Sequence, residues 1–105
     1  MNVQINYYQS NNSLNLLNLK VIEYRNVNNI LIDFGVNIIN KAYSLFDDLY
    51  GRAKYICESF NSTFPDISGV KWKCFIFPIG SVGMYFYSLC LIHYSTNKEM
   101  MLIFK

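Results

Sequence analysis

The longest periodic signal in the chain lies between Asn37 and Phe60. Ile39, Ala42, Tyr43, Phe46, Leu49, Tyr50, Ala53, Ile56, Cys57 and Phe60 recur there at three- and four-residue steps. That spacing gathers them on one face of an amphipathic helix. Asp47, Asp48, Arg52, Lys54 and Glu58 fall elsewhere on its surface. Gly51 sits near the middle, where glycine costs about 1 kcal/mol relative to alanine. One helix is expected, with Gly51 the point at which it would bend or split. Its buried face should hold Ile39, Tyr43, Phe46, Leu49, Tyr50, Ala53 and Cys57.

On both sides of this segment the pattern turns strand-like. Val3 to Tyr8 alternates apolar and polar residues, and Leu19 to Arg25 and Ile30 to Phe34 are two further strand candidates. The last two flank Asn26 to Asn29, read as a hairpin turn because asparagine tolerates positive φ. Gln9 to Ser13 and Asn61 to Gly69 read as loops. Three more strands are expected at Lys71–Phe77, Met84–Tyr94 and Met100–Phe104, the last two joined through Ser95 to Lys98. Strands, then a helix, then strands, without βαβ alternation, predict an α+β fold. The expected form is an antiparallel sheet of five to six strands with one long amphipathic helix packed on one face. Residues 1–105 form a single domain, with no internal repeat and no linker.

One run argues for a membrane. From Cys74 to Ile92 there are 19 residues without a charge, close to the length of a spanning helix. Pro78, Gly80, Ser81 and Gly83 interrupt it, and that cluster reads as a turn between two buried strands. A chain without a membrane span is therefore expected.

Composition adds a surplus of apolar material. The chain is 52% hydrophobic and 17% aromatic but only 15% charged, against about 25% charged in an average domain. Such a chain should leave apolar surface exposed for a partner or a second copy, and a homodimer joined through an edge strand is expected. Cys57, Cys74 and Cys90 are odd in number and widely spaced, with no CxxC and a single His93. They predict neither a disulfide framework nor a zinc site, but small buried thiols in a reducing, cytoplasmic compartment. Met1 to Gln9 lacks the basic-then-apolar run of a signal peptide.

No catalytic constellation is visible, and a non-enzymatic protein without cofactor or metal is expected. His93 lies in the apolar run Leu91-Ile92-His93-Tyr94, where a structural role is expected. Asp47 and Asp48 are neighbours, and on a helix neighbours point about 100° apart, so they do not converge on one substrate. Gly80-Ser81-Val82-Gly83 lacks the lysine of a phosphate loop.

The remaining chemistry is basic and aromatic. Lys71-Trp72-Lys73 alternates, so the lysines share one face of a strand and Trp72 takes the other. Trp72 then either stacks on a base or packs into the core beside a solvated lysine edge. The net charge of +2 permits nucleic-acid binding without indicating it. Nine tyrosines, among them Tyr7, Tyr8, Tyr85 and Tyr87, suit a protein interface as readily.

From Ile38 to about Tyr94 the order of landmarks resembles the competence transcription factor ComK family of low-GC bacteria. The matching elements are Ile38-Ile39-Asn40-Lys41, Phe46, Tyr50-Gly51-Arg52, Pro65-Asp66-Ile67, Phe77-Pro78 followed by Ser81, and the Met84–Tyr94 strand. The resemblance implies a transcription regulator that binds AT-rich promoter DNA through the minor groove and assembles from more than one subunit. Under it, Lys41, Arg52, Lys54, Lys71 and Lys73 would contact AT-rich double-stranded DNA. The alternative is a small protein-binding inhibitor or phage accessory protein, of anti-defence or host-takeover type, acting through a hydrophobic, tyrosine-rich face. Clustering of the five basic residues on one surface favours DNA. Their dispersal beside an apolar patch favours a protein partner.

Overall fold

The computed structural model describes residues 3–6, 17–80 and 88–105. The chain runs β1 (Val3–Asn6), β2 (Lys20–Arg25), α1 (Asn29–Leu45), α2 (Leu49–Thr63), β3 (Lys73–Pro78), β4 (Leu91–Ser95) and β5 (Glu99–Phe104). The strands form one antiparallel sheet in the order β1-β2-β4-β5-β3. Side chains alternate across a sheet, so Ile92 and Tyr94 of β4 share a face with their register partners Ile103 and Met101 of β5. All four are fully buried and form one core with Ile32, Val36, Ile39 and Ala42 of α1 and Ile56 and Phe60 of α2. Both helices therefore cover that face.

The α+β class stands, but the single long helix does not. The chain leaves helical geometry at Phe46 (φ −128°, ψ 139°) and restarts at Asp48 (φ −106°, ψ 151°). The Asp48 carboxylate accepts the Gly51 N–H at 2.8 Å, an N-cap that opens α2. Asp47-Asp48 is thus a helix boundary and not a solvated mid-helix face. Gly51 matters one turn after the break: a β-carbon there would lie 2.8 Å from Asp48 Oδ1 and 3.0 Å from the Phe46 ring.

The expected strand at Ile30–Phe34 is overturned as well, because it is the first part of α1. Asn28 caps that helix, its side-chain oxygen accepting the Leu31 N–H at 3.0 Å. The asparagine run is therefore a helix start, with only Asn26 at positive φ (53°). Isoleucine and valine are indifferent helix formers, but Ile32, Val36 and Ile39 meet the core at helical spacing, and packing overrides propensity.

The strand expected at Lys71–Phe77 is β3, displaced by two residues at its start. Among the described strands it pairs with β5; the end of the turn and the start of the second strand expected after it lie outside the described residues. β4 and β5 do form a hairpin, closed by Thr96, whose hydroxyl accepts the Lys98 and Glu99 N–H groups. Of the strand expected at Met84–Tyr94, Leu91–Ser95 is observed; 81–87, and with it Ser81, Tyr85 and Tyr87, lies outside the described residues. So do Tyr7, Tyr8 and the loop expected at Gln9–Ser13. Among the described residues no helix is long and apolar enough to cross a membrane.

Candidate functional site

β3 is an outer strand of the sheet, and its start is held under α2 by a side-chain clamp. The Asn61 amide accepts the Trp72 N–H at 2.7 Å and donates to the Trp72 carbonyl at 3.1 Å. The Cys57 thiol donates to the same carbonyl at 3.0 Å. Trp72 itself is core, tilted against Phe60 at 5.3 Å between ring centres, with the Lys105 ammonium 5.0 Å from its own ring centre. Lys71 and Lys73 on either side are exposed, so the indole packs inward and the lysines line a solvated edge.

The restart at Asp48 resets the phase of α2. Ile56 and Phe60 enter the core, whereas Leu49 and Tyr50 stay 38% and 76% exposed. Their burial, expected from the continuous stripe, is overturned. Tyr43, Phe46, Ala53 and Cys57 are half-buried, and Ile39 alone of the seven is fully enclosed. The stranded stripe lines an open groove against the sheet edge. Leu49, Tyr50 and Ala53 form one wall and Cys74 to Phe77 the other, around about 450 Å³. A second hollow of about 440 Å³ shares Tyr50, Ala53 and Cys74 and continues past Lys54, Cys57 and Glu58. The groove thus runs from Leu49 and Phe77 at one end to Cys57 and Trp72 at the other.

The floor of this groove offers backbone hydrogen bonds. Ile79 N–H donates to Lys98 O at 3.1 Å, and the β3–β5 register runs unbroken from Lys73↔Phe104 to Pro78↔Glu99. Antiparallel ladders alternate, so Phe77, Phe75 and Lys73 exchange bonds with β5. The N–H and C=O groups of Cys74 and Ile76 then point away from β5, into the groove. No strand lies on that side among the described residues.

The five basic candidates divide between places. Lys54 lines the groove. Lys73 and Lys71 lie close enough to Cys57 to oppose the burial and the Glu58 charge that push its thiol up. Among the described residues none of these three lysines has an ion-pair partner. Arg52, two residues from Lys54, faces the other side of the helix. Its guanidinium lies 4.0 Å over the Tyr43 ring and its Nε donates to Phe46 O at 2.7 Å. There it borders a separate hollow with Leu17, Lys98 and Glu99, where burial, then the hydrogen bond to Glu99, raises the Tyr43 hydroxyl above its ordinary range. Lys41 is exposed on α1 and lines neither hollow.

The chemistry of the groove is that of recognition. Burial pushes the Cys74 thiol up to about 12, and Cys57 is raised by the same cause, so both stay protonated at neutral pH. Burial lowers the His93 imidazole below its usual range. Among the described residues no three His, Cys, Asp or Glu side chains gather to hold a metal. The groove was missed because Leu49, Tyr50 and Ala53 continue the periodicity of the buried stripe. The signal that could have found it is Asp48 followed at the third position by Gly51, which marks a new helix start.

No family model matches the chain, and no curated protein matches it. Among solved structures it is similar to the dynein light chain-like domain of the calcium-binding protein FhCaBP2 from Fasciola hepatica. With the mercury derivative of that domain the TM-score is 0.65 at 16% identity, over 83% of this chain and 90% of that one. With the native crystal it is 0.65 at 14% identity, over 95% and 98%. At these identities the likeness is one of fold, and the chain shares the architecture of a dynein light chain-like domain.

Proposed function

We propose that this chain is a non-enzymatic protein-interaction module that takes an extended segment of a partner protein along the outer edge of β3. The observation that carries the reading is the pairing of two features in one groove. The Cys74 and Ile76 backbone groups face outward, and the apolar stripe of exposed Leu49 and Tyr50 and half-buried Ala53 stands beside them. Main-chain hydrogen bonds to an edge strand supply affinity, and pockets for alternate side chains supply selection. A long apolar edge left open is otherwise a route to aggregation. The free thiols suit a reducing cytoplasm.

A second reading, binding of AT-rich duplex DNA, is supported by Lys54, Lys71 and Lys73, each near Cys57 and without an ion-pair partner among the described residues. It is the weaker of the two, since Arg52 is engaged elsewhere and Lys41 lies on another helix.

The test is an amide-shift titration of labelled protein with a short peptide of alternating valine and threonine. Shifts centred on Cys74 and Ile76, lost in Tyr50→Glu, are expected. Shifts confined to other strands, or none at all, would overturn the reading.

A further inference from the structure

The groove is electrically lopsided. Because α2 runs antiparallel to β3, its first residues, Leu49 and Tyr50, stand by Phe77, and Cys57 stands by Trp72. At the Cys57 end lie three cations, Lys54, Lys71 and Lys73, against one carboxylate, Glu58. The Leu49 end follows directly on Asp47 and Asp48, both exposed and acidic. The three lysines make no ion pair among the described residues, whereas Lys105 nearby is committed to Asp66 at 3.0 Å. A solvated cluster of like charges beside an apolar slot repels a basic ligand and steers an acidic one, and such complementarity sets register and orientation more than raw affinity.

We infer that the segment taken by the groove is acidic at its C-terminal flank, an alternating apolar strand followed by aspartates or glutamates that meet Lys54, Lys71 and Lys73. This rests on the edge-binding reading above and adds the partner's chemistry and direction to it. Antiparallel pairs outnumber parallel ones two- to three-fold. A strand antiparallel to β3 enters beside Phe77 and leaves beside Lys73. Its apolar positions fall against Leu49, Tyr50 and Ala53, and its last residues fall on the lysines. The same strand with a basic C-terminal flank meets three like charges, and with an acidic N-terminal flank it meets Asp47 and Asp48.

The experiment uses synthetic peptides sharing one valine–threonine core. They carry a block of glutamates after it, a block before it, or a block of lysines after it, and each is titrated into the full chain and into K71E/K73E. The trailing-glutamate peptide is expected to bind at least about five-fold more tightly than either other, a ratio in keeping with two or three exposed ion pairs. K71E/K73E should reverse the preference between glutamate and lysine tails. Both lysines are exposed, so the variant keeps its fold, which circular dichroism checks. Equal binding of all three peptides, or an unchanged preference in the variant, overturns the inference and leaves edge binding intact. Failure of every peptide overturns both. Two other occupants are tested alongside. An AT-rich duplex that binds through Lys71 and Lys73 while no peptide does assigns the groove to DNA. A dimer in sedimentation that Tyr50→Glu dissociates, again with no peptide bound, assigns it to a second copy. Either result overturns the proposal.

Discussion

The hydroxyl of Tyr94 stands where a β-carbon on Gly35 would have to go. A Cβ built there lies 2.0 Å from the Tyr94 oxygen and 2.7 Å from its ring carbon. The same hydroxyl donates to the Ile32 carbonyl at 2.7 Å, one turn earlier on α1. Glycine lets the helix approach β4 closely, and the buried phenol then hydrogen-bonds to the helix it touches. Gly35→Ala is expected to destabilise the fold by about 3 kcal/mol, the upper end of the cost of overpacking a core. Tyr94→Phe alone should cost about 1 kcal/mol, a single hydrogen bond. Because the two residues touch, the double variant should lose less than the sum. Urea unfolding of the four proteins measures this, and strict additivity would show that the two positions are independent.

The break between the helices rests on one carboxylate. Asp48 accepts the Gly51 N–H, whereas Asp47 beside it is exposed and caps nothing. Asp48→Ala should cost about 1 kcal/mol and Asp47→Ala less than about 0.5 kcal/mol, as for an ordinary surface change. Equal losses in thermal unfolding would mean that α2 starts elsewhere.

Acid should weaken the fold in two separable windows. Burial lowers the His93 imidazole below its ordinary 6.5. The unfolded chain therefore binds that proton more readily, and the stability is present above about 6.5 and lost as pH falls through the lower folded value. His93→Gln should flatten this limb. Asp66 is held at about 2 instead of 3.8, first by hydrogen bonds from the Ser68 hydroxyl and N–H, then by Lys105. Its contribution is present above 3.8 and lost as pH falls towards 2, and Asp66→Asn should remove it. Denaturant midpoints against pH, compared among the three proteins, resolve the two windows.

The class of the fold was legible wherever burial follows a simple period. β2, β5 and the β4–β5 hairpin lie within a residue or two of their expected places. The errors share a cause. Asn28 and Asp48 are short polar residues that serve a turn and a helix cap equally well, and the choice between those roles is made by what the following residues bury. Ile30 to Phe34 reads as a strand from its β-branched content, yet Ile32 continues through Val36 and Ile39 as a buried helical face. The candidate site was hidden more deeply. Leu49, Tyr50 and Ala53 match the core pattern in every respect available to a linear reading. Only the three-residue break before them, Phe46 to Asp48, rotates them away from Ile56 and Phe60. Lys54, Lys71 and Lys73 were legible as basic residues, but their shared nearness to Cys57 depends on Asn61 and Cys57 holding the start of β3 beneath α2.

That rotation makes a direct prediction about what the apolar residues of α2 are for. Phe60 is fully buried and packs edge-on at 5.1 Å against Phe34 and tilted at 5.3 Å against Trp72. Phe60→Ala should destabilise by about 3–5 kcal/mol, as for a large aromatic removed from a core. Phe46 belongs to neither class: it is half-buried, with its ring over Gly51 and 5.7 Å from Tyr55, and its truncation should cost less than that of Phe60. Tyr50 is 76% exposed, and Tyr50→Ser should change stability by no more than about 0.5 kcal/mol. The same change removes the largest side chain of the groove wall, so it should weaken peptide binding at the β3 edge while leaving urea midpoints in place. A core residue moves both measurements together, and a recognition residue moves only the second. If Tyr50→Ser lowers stability as much as Phe60→Ala does, the stripe is a structural element whose cover lies elsewhere, and the groove has no claim to be a binding site.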